Sequence, residues 1–439
     1  MAKKGKNKDY GCYPSRFWYT LFGSGVVISI ARLVFNIKVK RDPKVMKMEG
    51  PLVVVGNHPS YLDPIILACT LYWRPINFVA GTFLFRNRIF GAVIKSGGCI
   101  PKAQFRTDTR AVRAMLNVLS RGGVLGIFPE ATRFVDGNSI FFDDALARLI
   151  KKTNSGIAFL ESHGSYMTWP RWSKSGSRRG KIEGHLRCVY TKEEVKAMSV
   201  EELYELMKKE LTYNEYDWFR EHPQEFKSKA IAAGAENIAH ACPRCGKMNV
   251  MQSDKDILFC RECGNRVRME KTGFLVPVTD EDKAFPDLHQ WVMWEKDLIA
   301  KAITTPEYTY RDHVFLHHPI GEFNYALVGE GTLFLDGDTL IYEGTECPVE
   351  DGIIFKKGKP LRKHAKRDIT QTAENVHKEF IIHKMRGFSV DYGKRIEIFD
   401  ANGTVNRFLP EHAQRLYELQ CVMEHIKNMP QGESSPRTE

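Results

Sequence analysis

The sequence predicts a helix-flanked α/β domain followed by smaller units, and three observations support that fold class. Between about residues 51 and 190, short apolar runs alternate with segments of helical periodicity. Two Cys-x-x-Cys pairs follow, and the last hundred residues then alternate in strand fashion around Asp-Gly, Tyr-Gly and Asn-Gly turns. A chain of 439 residues has room for roughly two to four such units.

The composition narrows the class of protein. Hydrophobic residues make up 43% of the chain and aromatic residues 11%, which is enough for packed cores and argues against disorder. A mean hydropathy of −0.34 excludes a polytopic membrane protein. The net charge of +11 favours an anionic partner: nucleic acid, a membrane surface or a phosphorylated substrate.

The N-terminal segment, residues 1–48, is predicted to be a basic tail with a membrane-associated helix. Four lysines precede an apolar run over residues 17–37 that only Arg32 interrupts. The run is a marginal length for crossing a bilayer, so an interfacial and a spanning helix both remain open. The alternative is a helix that packs on the protein body. No small-residue cleavage motif follows the run, which argues against a signal peptide.

Residues 49–235 are predicted to form the α/β domain. A helix is expected over 107–119, and two capping boxes, Thr191 with Glu194 and Ser199 with Glu202, are expected to start a charged helical stretch that reaches about residue 219. The apolar, β-rich runs predicted as strands are residues 52–55, 76–80, 124–128, 156–160 and 185–190.

The first chemical motif is an Asn-His-x-Ser-x-x-Asp run that starts at Asn57. It places His58 at the carboxyl end of a predicted strand, where open α/β sheets hold their sites. A carboxylate from Asp63 on one ring nitrogen would fix the tautomer and leave the other nitrogen free to take a proton from an alcohol. The alternative is a packed or surface histidine, because about one such pair is expected by chance in a chain of this size.

The second motif, Phe-Pro-Glu-x-Thr-Arg, also follows a predicted strand. It groups Glu130, Thr132 and Arg133. A guanidinium and a hydroxyl suit a phosphate monoester, and a carboxylate could hold the arginine in place. The alternative is an ordinary surface salt bridge.

Together the two motifs resemble those of the glycerolipid acyltransferase family, the bacterial 1-acylglycerol-3-phosphate acyltransferases and their relatives, over roughly residues 17–235. The resemblance implies that His58 is the general base and Asp63 orients it, while Glu130 and Arg133 bind the phosphate of the acceptor. It implies transfer of a fatty acyl group from acyl-CoA or acyl-carrier protein to the free hydroxyl of 1-acylglycerol-3-phosphate, in phospholipid biosynthesis.

The chain departs from the family pattern at Ala131, near Lys102 and in a later block over residues 157–160, where the family's proline is missing. Ala131 stands where family members usually have glycine. Between the two motifs the family has a Gly-x-Phe/Ile-Pro block that is followed by an arginine. Residues 98–102 match this block, but Gln104 stands near the position of the expected arginine. Lys102 or Arg106 would then supply that charge to the substrate. Downstream, an aromatic and basic strip over residues 166–181 could meet lipid headgroups, the acyl carrier or solvent.

The paired cysteines predict a zinc ribbon over residues 236–270. Their spacing is that of a four-thiolate site with no open position, so the implied cofactor is a structural Zn²⁺ ion. The remaining cysteines are scattered without pairing logic, which is typical of a reducing compartment, and we therefore expect the protein at the cytoplasmic face of a membrane. The predicted metal ligands are Cys242, Cys245, Cys260 and Cys263.

The C-terminal part divides into a connector over 271–320, a mostly-β domain over 321–429 and a disordered tail over 430–439. Several antiparallel strands followed by an amphipathic helix over about 411–427 resemble a pleckstrin-homology-like barrel. Such a domain could bind a lipid or a partner and recruit the enzyme.

A second function class stays open at this stage. A basic chain with a zinc ribbon could bind nucleic acid, or act as a lipid-binding regulator, with a degenerate acyltransferase domain. Apart from Phe259 the ribbon lacks aromatic stacking platforms. The partners we expect are therefore a membrane surface, a lysophospholipid acceptor and the acyl donor, and not nucleic acid. The ribbon's basic residues are Arg244, Lys247, Arg261, Arg266 and Arg268.

Overall fold

The computed structural model describes residues 25–26, 28–105, 108–305, 307–320, 324–356, 359–360 and 368–429. The chain divides into two compact units. Residues 1–231 and 269–274 form the first, and residues 232–268 and 275–439 form the second. The cysteine segment and the β-rich C-terminal region therefore share a unit.

The first unit is an α/β structure, as predicted. Its strands are β1 (Ile37–Arg41), β2 (Leu52–Gly56), β3 (Ile76–Gly81), β4 (Ile100–Lys102), β5 (Val124–Ile127), β6 (Gly156–His163) and β7 (Ile182–Tyr190). Its helices are α1 (Ile28–Val34), α2 (Pro43–Lys47), α3 (Asp63–Thr70), α4 (Arg88–Ser96), α5 (Thr109–Ser120), α6 (Ala145–Thr153), α7 (Ser165–Thr168), α8 (Lys192–Ala197), α9 (Val200–Leu211) and α10 (Glu215–Glu221).

The seven strands form one sheet in the order β1-β7-β6-β2-β5-β3-β4. The strand pairs β2–β5, β2–β6, β3–β5 and β3–β4 are parallel, and β7 runs antiparallel to β6. Strand β2 is buried along its whole length, as its unbroken apolar sequence requires of a central strand. Because β2 and β5 are parallel and in register, the residues that follow them emerge side by side at one sheet edge.

Helices cover both faces of this sheet. Val53 and Val55 of β2 pack into a core that includes α5, α6 and α9, whereas Leu52 and Val54 pack into a second core with α3. This alternation follows from the two-residue period of a strand. All five predicted strand runs are strands, while the short edge strands β1 and β4 went unpredicted because their sequences lack an unbroken apolar run.

The predicted helix starts agree with the structure, with one shift. Both capping boxes form, with Thr191 and Ser199 as N-caps of α8 and α9. The helix predicted over 107–119 begins at Thr109, because the Asp108 carboxylate caps it by accepting from the Ala111 amide.

The predicted membrane helix over 17–37 lies largely outside the described residues. Its described part contains α1, in which Ile28 and Ala31 are buried and Leu33 is exposed. In the part of the chain that the structure describes, no helix has the length and apolar character needed to cross a membrane.

The second unit contains two sheets. The interval 271–320, predicted as a connector, holds a strand, a fifteen-residue helix and a further strand. The smaller sheet comprises β8 (Met251–Asp254), β9 (Ile257–Cys260), β10 (Arg266–Met269) and β11 (Leu275–Pro277). The larger comprises β12 (Arg311–Ile320), β13 (Asn324–Asp336), β14 (Thr339–Glu346), β15 (Ile353–Lys356), β16 (Lys359–Pro360), β17 (Glu374–Ile381), β18 (Gly387–Asp391), β19 (Arg395–Phe399) and β20 (Val405–Pro410).

The larger sheet is an antiparallel meander. Its strands pair in the order β17-β14-β13-β12-β20-β19-β18, and the β15–β16 hairpin attaches to β13. The helices of this unit are α11 (Leu288–Ala302) and α12 (Leu416–Asn428). The β-rich region with a closing helix is therefore present, and its likeness to a pleckstrin-homology domain stays a prediction.

Candidate active site

A histidine and an aspartate form the centre of the candidate site. His58 lies in the loop between β2 and α3, and its Nδ1 lies 2.7 Å from Oδ2 of Asp63, the first residue of α3. The Asp63 side chain is fully buried, whereas that of His58 keeps 19% of its surface exposed. With Nδ1 donating to the carboxylate, Nε2 is the ring nitrogen that can accept a proton.

Both oxygens of Asp63 have further partners. The Ser60 amide donates to Oδ2 over 2.8 Å, and the Ser165 hydroxyl donates to Oδ1 over 3.2 Å. Burial raises the pKa of Asp63 above its ordinary value, and the contacts with His58, Ser60 and Ser165 oppose that shift. These hydrogen bonds fix the orientation of the carboxylate toward the imidazole ring.

The second motif supports the loop that carries His58. The ring of Phe128 stacks on the imidazole, with centroids 4.7 Å apart. The Glu130 carboxylate accepts from the His58 amide over 2.9 Å, and the Phe134 amide donates to the His58 carbonyl over 3.0 Å. Glu130 is only 5% exposed, and burial raises its pKa to about 8. The structure thus shows Glu130 bonded to the loop that carries His58, whereas the family resemblance implies that it binds substrate.

Two arginines lie at the motif. The Arg133 guanidinium carbon lies 3.6 Å from the centroid of the Tyr61 ring, a cation–π contact. Arg171, from the aromatic and basic strip, donates to the Thr132 hydroxyl over 2.8 Å. A guanidinium bonded to a hydroxyl, with a second guanidinium on the next residue of the motif, suits a phosphate group.

Lys102, another predicted substrate residue, is not part of this group. Lys102 ends β4 and pairs with Gly81 of β3, at the same sheet edge as His58 but three strands from β2. At about 4.8 Å per strand, that separation is roughly 14 Å. Arg106 lies outside the described residues, so the choice between these two cations stays a prediction.

The sequence interpretation missed Ser165 and the placement of Arg171. Ser165 follows β6, which pairs with β2, so its position at a strand end was the available signal. Nothing in the local sequence shows that Arg171 returns to Thr132, because 39 residues separate the two.

The four predicted metal-ligating cysteines lie together in the second unit. Their sulfur atoms all lie within 4.8 Å of one another, with 3.6 Å between Cys242 and Cys263 and 3.9 Å between Cys245 and Cys260. A tetrahedron with metal–sulfur bonds of about 2.3 Å has edges of about 3.8 Å. Backbone amides also face the sulfurs, including that of Arg244 on Cys242. The cluster could therefore bind a metal ion.

The buried Glu130 carboxyl predicts a pH-dependent stability. Its pKa is about 8 in the folded protein against 4.5 ordinarily, so the folded state holds a proton that the unfolded chain releases. This stabilisation is complete below pH 4.5 and is lost as the pH rises to about 8. Urea unfolding of the wild type and of Glu130→Gln at pH 5 and at pH 8 measures the effect. We expect the free energy of unfolding to fall between these pH values in the wild type, and to fall by about 1–3 kcal/mol less in Glu130→Gln.

The glutamine keeps an acceptor for the His58 amide, and the other buried carboxyls titrate equally in both proteins. Glu193→Gln, which alters an exposed carboxyl, should follow the wild-type pH dependence. Equal pH dependence in Glu130→Gln and the wild type would contradict the raised pKa.

Comparisons with known proteins match the same part of the chain. The Acyltransferase family model matches residues 36–160. The 1-acyl-sn-glycerol-3-phosphate acyltransferase of Streptococcus pneumoniae is 25% identical over 146 residues, which cover 32% of this chain and 55% of that protein. The chloroplastic enzyme of the same name from Arabidopsis thaliana is 23% identical over 150 residues, 34% of this chain and 42% of that protein.

The chain thus spans about half the length of the curated relatives it matches. The crystal structure of the 1-acyl-sn-glycerophosphate acyltransferase PlsC from Thermotoga maritima aligns with a TM-score of 0.37 and 19% identity, over 44% of this chain and 75% of that one. The range that the family model matches includes both motifs, with His58 and Arg133. Residues 36–160 are therefore a domain of the acyltransferase family.

Proposed function

We propose that this protein transfers a fatty acyl group from a thioester donor, acyl-CoA or acyl-carrier protein, to the free hydroxyl of 1-acylglycerol-3-phosphate. The observation that carries the proposal is the His58–Asp63 pair, with an Nδ1–Oδ2 distance of 2.7 Å, together with Arg133 of the second motif and Arg171, which bonds Thr132 of that motif. The names of the relatives support the choice of acceptor.

The chemistry follows from the hydrogen bonds of His58. Nε2 takes the proton of the acceptor hydroxyl as its oxygen attacks the thioester carbonyl, and Asp63 stabilises the imidazolium that forms. The new carbon–oxygen bond replaces the carbon–sulfur bond, and the imidazolium returns its proton to the leaving thiolate. Ser165 and Glu130 contribute by positioning, since one bonds the Asp63 carboxylate and the other bonds the His58 amide.

Arg133 and Arg171 are proposed to bind the acceptor phosphate, together with the Thr132 hydroxyl. A phosphate monoester carries nearly two negative charges, which a planar guanidinium can meet with two parallel hydrogen bonds. The Tyr61 ring under Arg133 limits the orientations of its guanidinium.

We further propose that the first unit works at the cytoplasmic face of a membrane. Apolar side chains of two helices face solvent there: Leu33 of α1 is 84% exposed, and Ile89 and Val93 of α4 are 80% and 61% exposed. Helix α4 lies in the segment that connects β3 to β4. This segment begins at the same sheet edge at which His58 follows β2. A two-chain lipid substrate needs such an apolar surface near the chemistry.

The four-cysteine cluster is proposed to hold a structural Zn²⁺ ion. Four thiolates complete a tetrahedral zinc site and leave no position for substrate. Folding of residues 242–263 would then depend on the ion.

His58→Ala should lower acyl transfer by about 10²–10⁴-fold, the usual contribution of a positioned general base. Thiol release from acyl-CoA and from acyl-carrier protein, each with 1-acylglycerol-3-phosphate, measures the effect and identifies the donor. His313→Ala is the matched control, because that histidine is exposed on β12 of the other unit. If His58→Ala retains more than about a tenth of the activity, His58 is not the general base.

Arg133→Lys should raise the KM for the lysophospholipid with little change in kcat or in the donor KM. A lysine supplies the charge but not the two-pronged geometry, and the phosphate stays bound throughout the reaction. The exposed Arg179 provides the control Arg179→Lys. If only the donor KM rises, Arg133 belongs to the donor site.

Replacing Ile89 and Val93 together by aspartate should reduce co-flotation of the protein with anionic phospholipid vesicles several-fold, because two charges would enter the apolar contact. Met293→Asp is the control, since Met293 is also an exposed apolar residue but lies on α11 of the second unit. Unchanged flotation of the double variant would exclude α4 from the membrane contact.

A further inference from the structure

A second group of metal-binding side chains lies in the first unit, apart from the cysteines. Glu161 and His163 belong to β6, and His185 belongs to β7. Their potential ligand atoms all lie within 4.8 Å of one another. The register explains the cluster: Glu161 pairs directly with His185, and His163, two residues further along β6, lies on the same face of the sheet.

Both imidazoles have a buried ring nitrogen. Nε2 of His163 and Nε2 of His185 are inaccessible to solvent and have no hydrogen-bond partner among the described residues. Leaving two such acceptors unsatisfied is costly, by about 1–3 kcal/mol each. A ligand that accepts electron pairs from both nitrogens would remove that cost.

The tautomer of His163 suits a metal ligand. Tyr213 donates its hydroxyl proton to Glu215 over 2.7 Å, so its oxygen accepts from Nδ1 of His163 over 3.0 Å. The proton therefore lies on Nδ1, and Nε2 carries the lone pair. A metal-binding histidine is usually oriented by a hydrogen bond from its second nitrogen. Here the Tyr213 hydroxyl, which is itself bonded to Glu215, accepts that hydrogen bond.

The His163 ring is also held in place. It stacks on Trp218 with centroids 3.5 Å apart and an angle of 9° between the planes. An imidazole that is already immobilised binds a metal ion without losing much conformational freedom.

Charged side chains near the cluster, and the cluster's own ligand atoms, decide which ions it can bind. Arg187 donates to Glu161 over 2.6 Å and also pairs with Glu210, while Lys40 lies opposite His185 on β1. Their charges are offset by Glu161, Glu210 and Glu183, the residue that pairs with His163. Nitrogen ligands with one carboxylate select transition metals over magnesium or calcium.

We propose that Glu161, His163 and His185 bind a divalent first-row transition metal ion, distinct from the ion of the cysteine cluster. The bound ion links the last residue of β6 to β7. Because Ser165 follows His163 by two residues and bonds the Asp63 carboxylate, the ion also steadies the turn that supports the catalytic pair.

The full-length protein tests this directly. The chain is equilibrated with Zn²⁺, freed of excess ion by gel filtration, and its zinc is counted by elemental mass spectrometry. We expect two zinc ions per chain in the wild type and one in His185→Gln and in Glu161→Gln, two side chains that are not fully buried. His222→Gln, which alters an exposed histidine stacked on Trp218, should retain two.

Cobalt separates the two sites by spectrum. Thiolate-to-cobalt charge-transfer bands report the cysteine cluster alone, and they should be unchanged in His185→Gln while the total cobalt count falls by one. One zinc per chain in the wild type overturns the proposal. The proposal is also overturned if the wild type, His185→Gln and Glu161→Gln all bind two zinc ions, because the second ion then lies elsewhere.

Discussion

The candidate active site depends on the parallel pairing of β2 with its two neighbours. Gly56 of β2 lies opposite Leu160 of β6, and Val55 lies opposite Ile127 of β5. Three chain segments therefore leave the sheet at adjacent points of one edge. They carry His58, then Glu130 of the second motif, which lies 72 residues further along the chain, and then Ser165, which lies 102 residues after Asp63. A one-residue slip in either pairing would reverse the faces of the strand and separate these groups.

The same edge concentrates carboxyl groups away from water. Asp63, Glu130 and Glu215 are each nearly or completely buried, and burial raises the pKa of each one. Each is held by backbone amides: Ser60 bonds Asp63, His58 bonds Glu130, and Met167 bonds Glu215. Buried carboxyls are tolerated where such donors replace water. The result is a rigid polar layer beneath an imidazole that remains partly exposed.

Much of this arrangement could be predicted from the sequence. The apolar run at β2, the motif at His58 and the paired cysteines are local signals, and each lies where its pattern predicted. The relation of Glu130 to the His58 amide could not be predicted, because it depends on the register between strands 72 residues apart. The cluster of Glu161, His163 and His185 was missed for the same reason. A pattern of alternating residues shows which face they share, but not which strand will pair beside them.

The backbone conformation of Ala131 lets two residues of the second motif, Glu130 and Arg133, make different contacts. Its backbone has a φ of 58°, and the Thr132 amide donates to the Glu130 carbonyl over 2.7 Å, which makes a tight three-residue turn. For a residue with a Cβ atom this conformation costs about 1 kcal/mol. The turn lets Glu130 bond the His58 amide while Arg133 lies on the Tyr61 ring. Several hydrogen bonds to the catalytic loop offset that strain. Glycine, the usual residue of the family at this place, would adopt the turn without it.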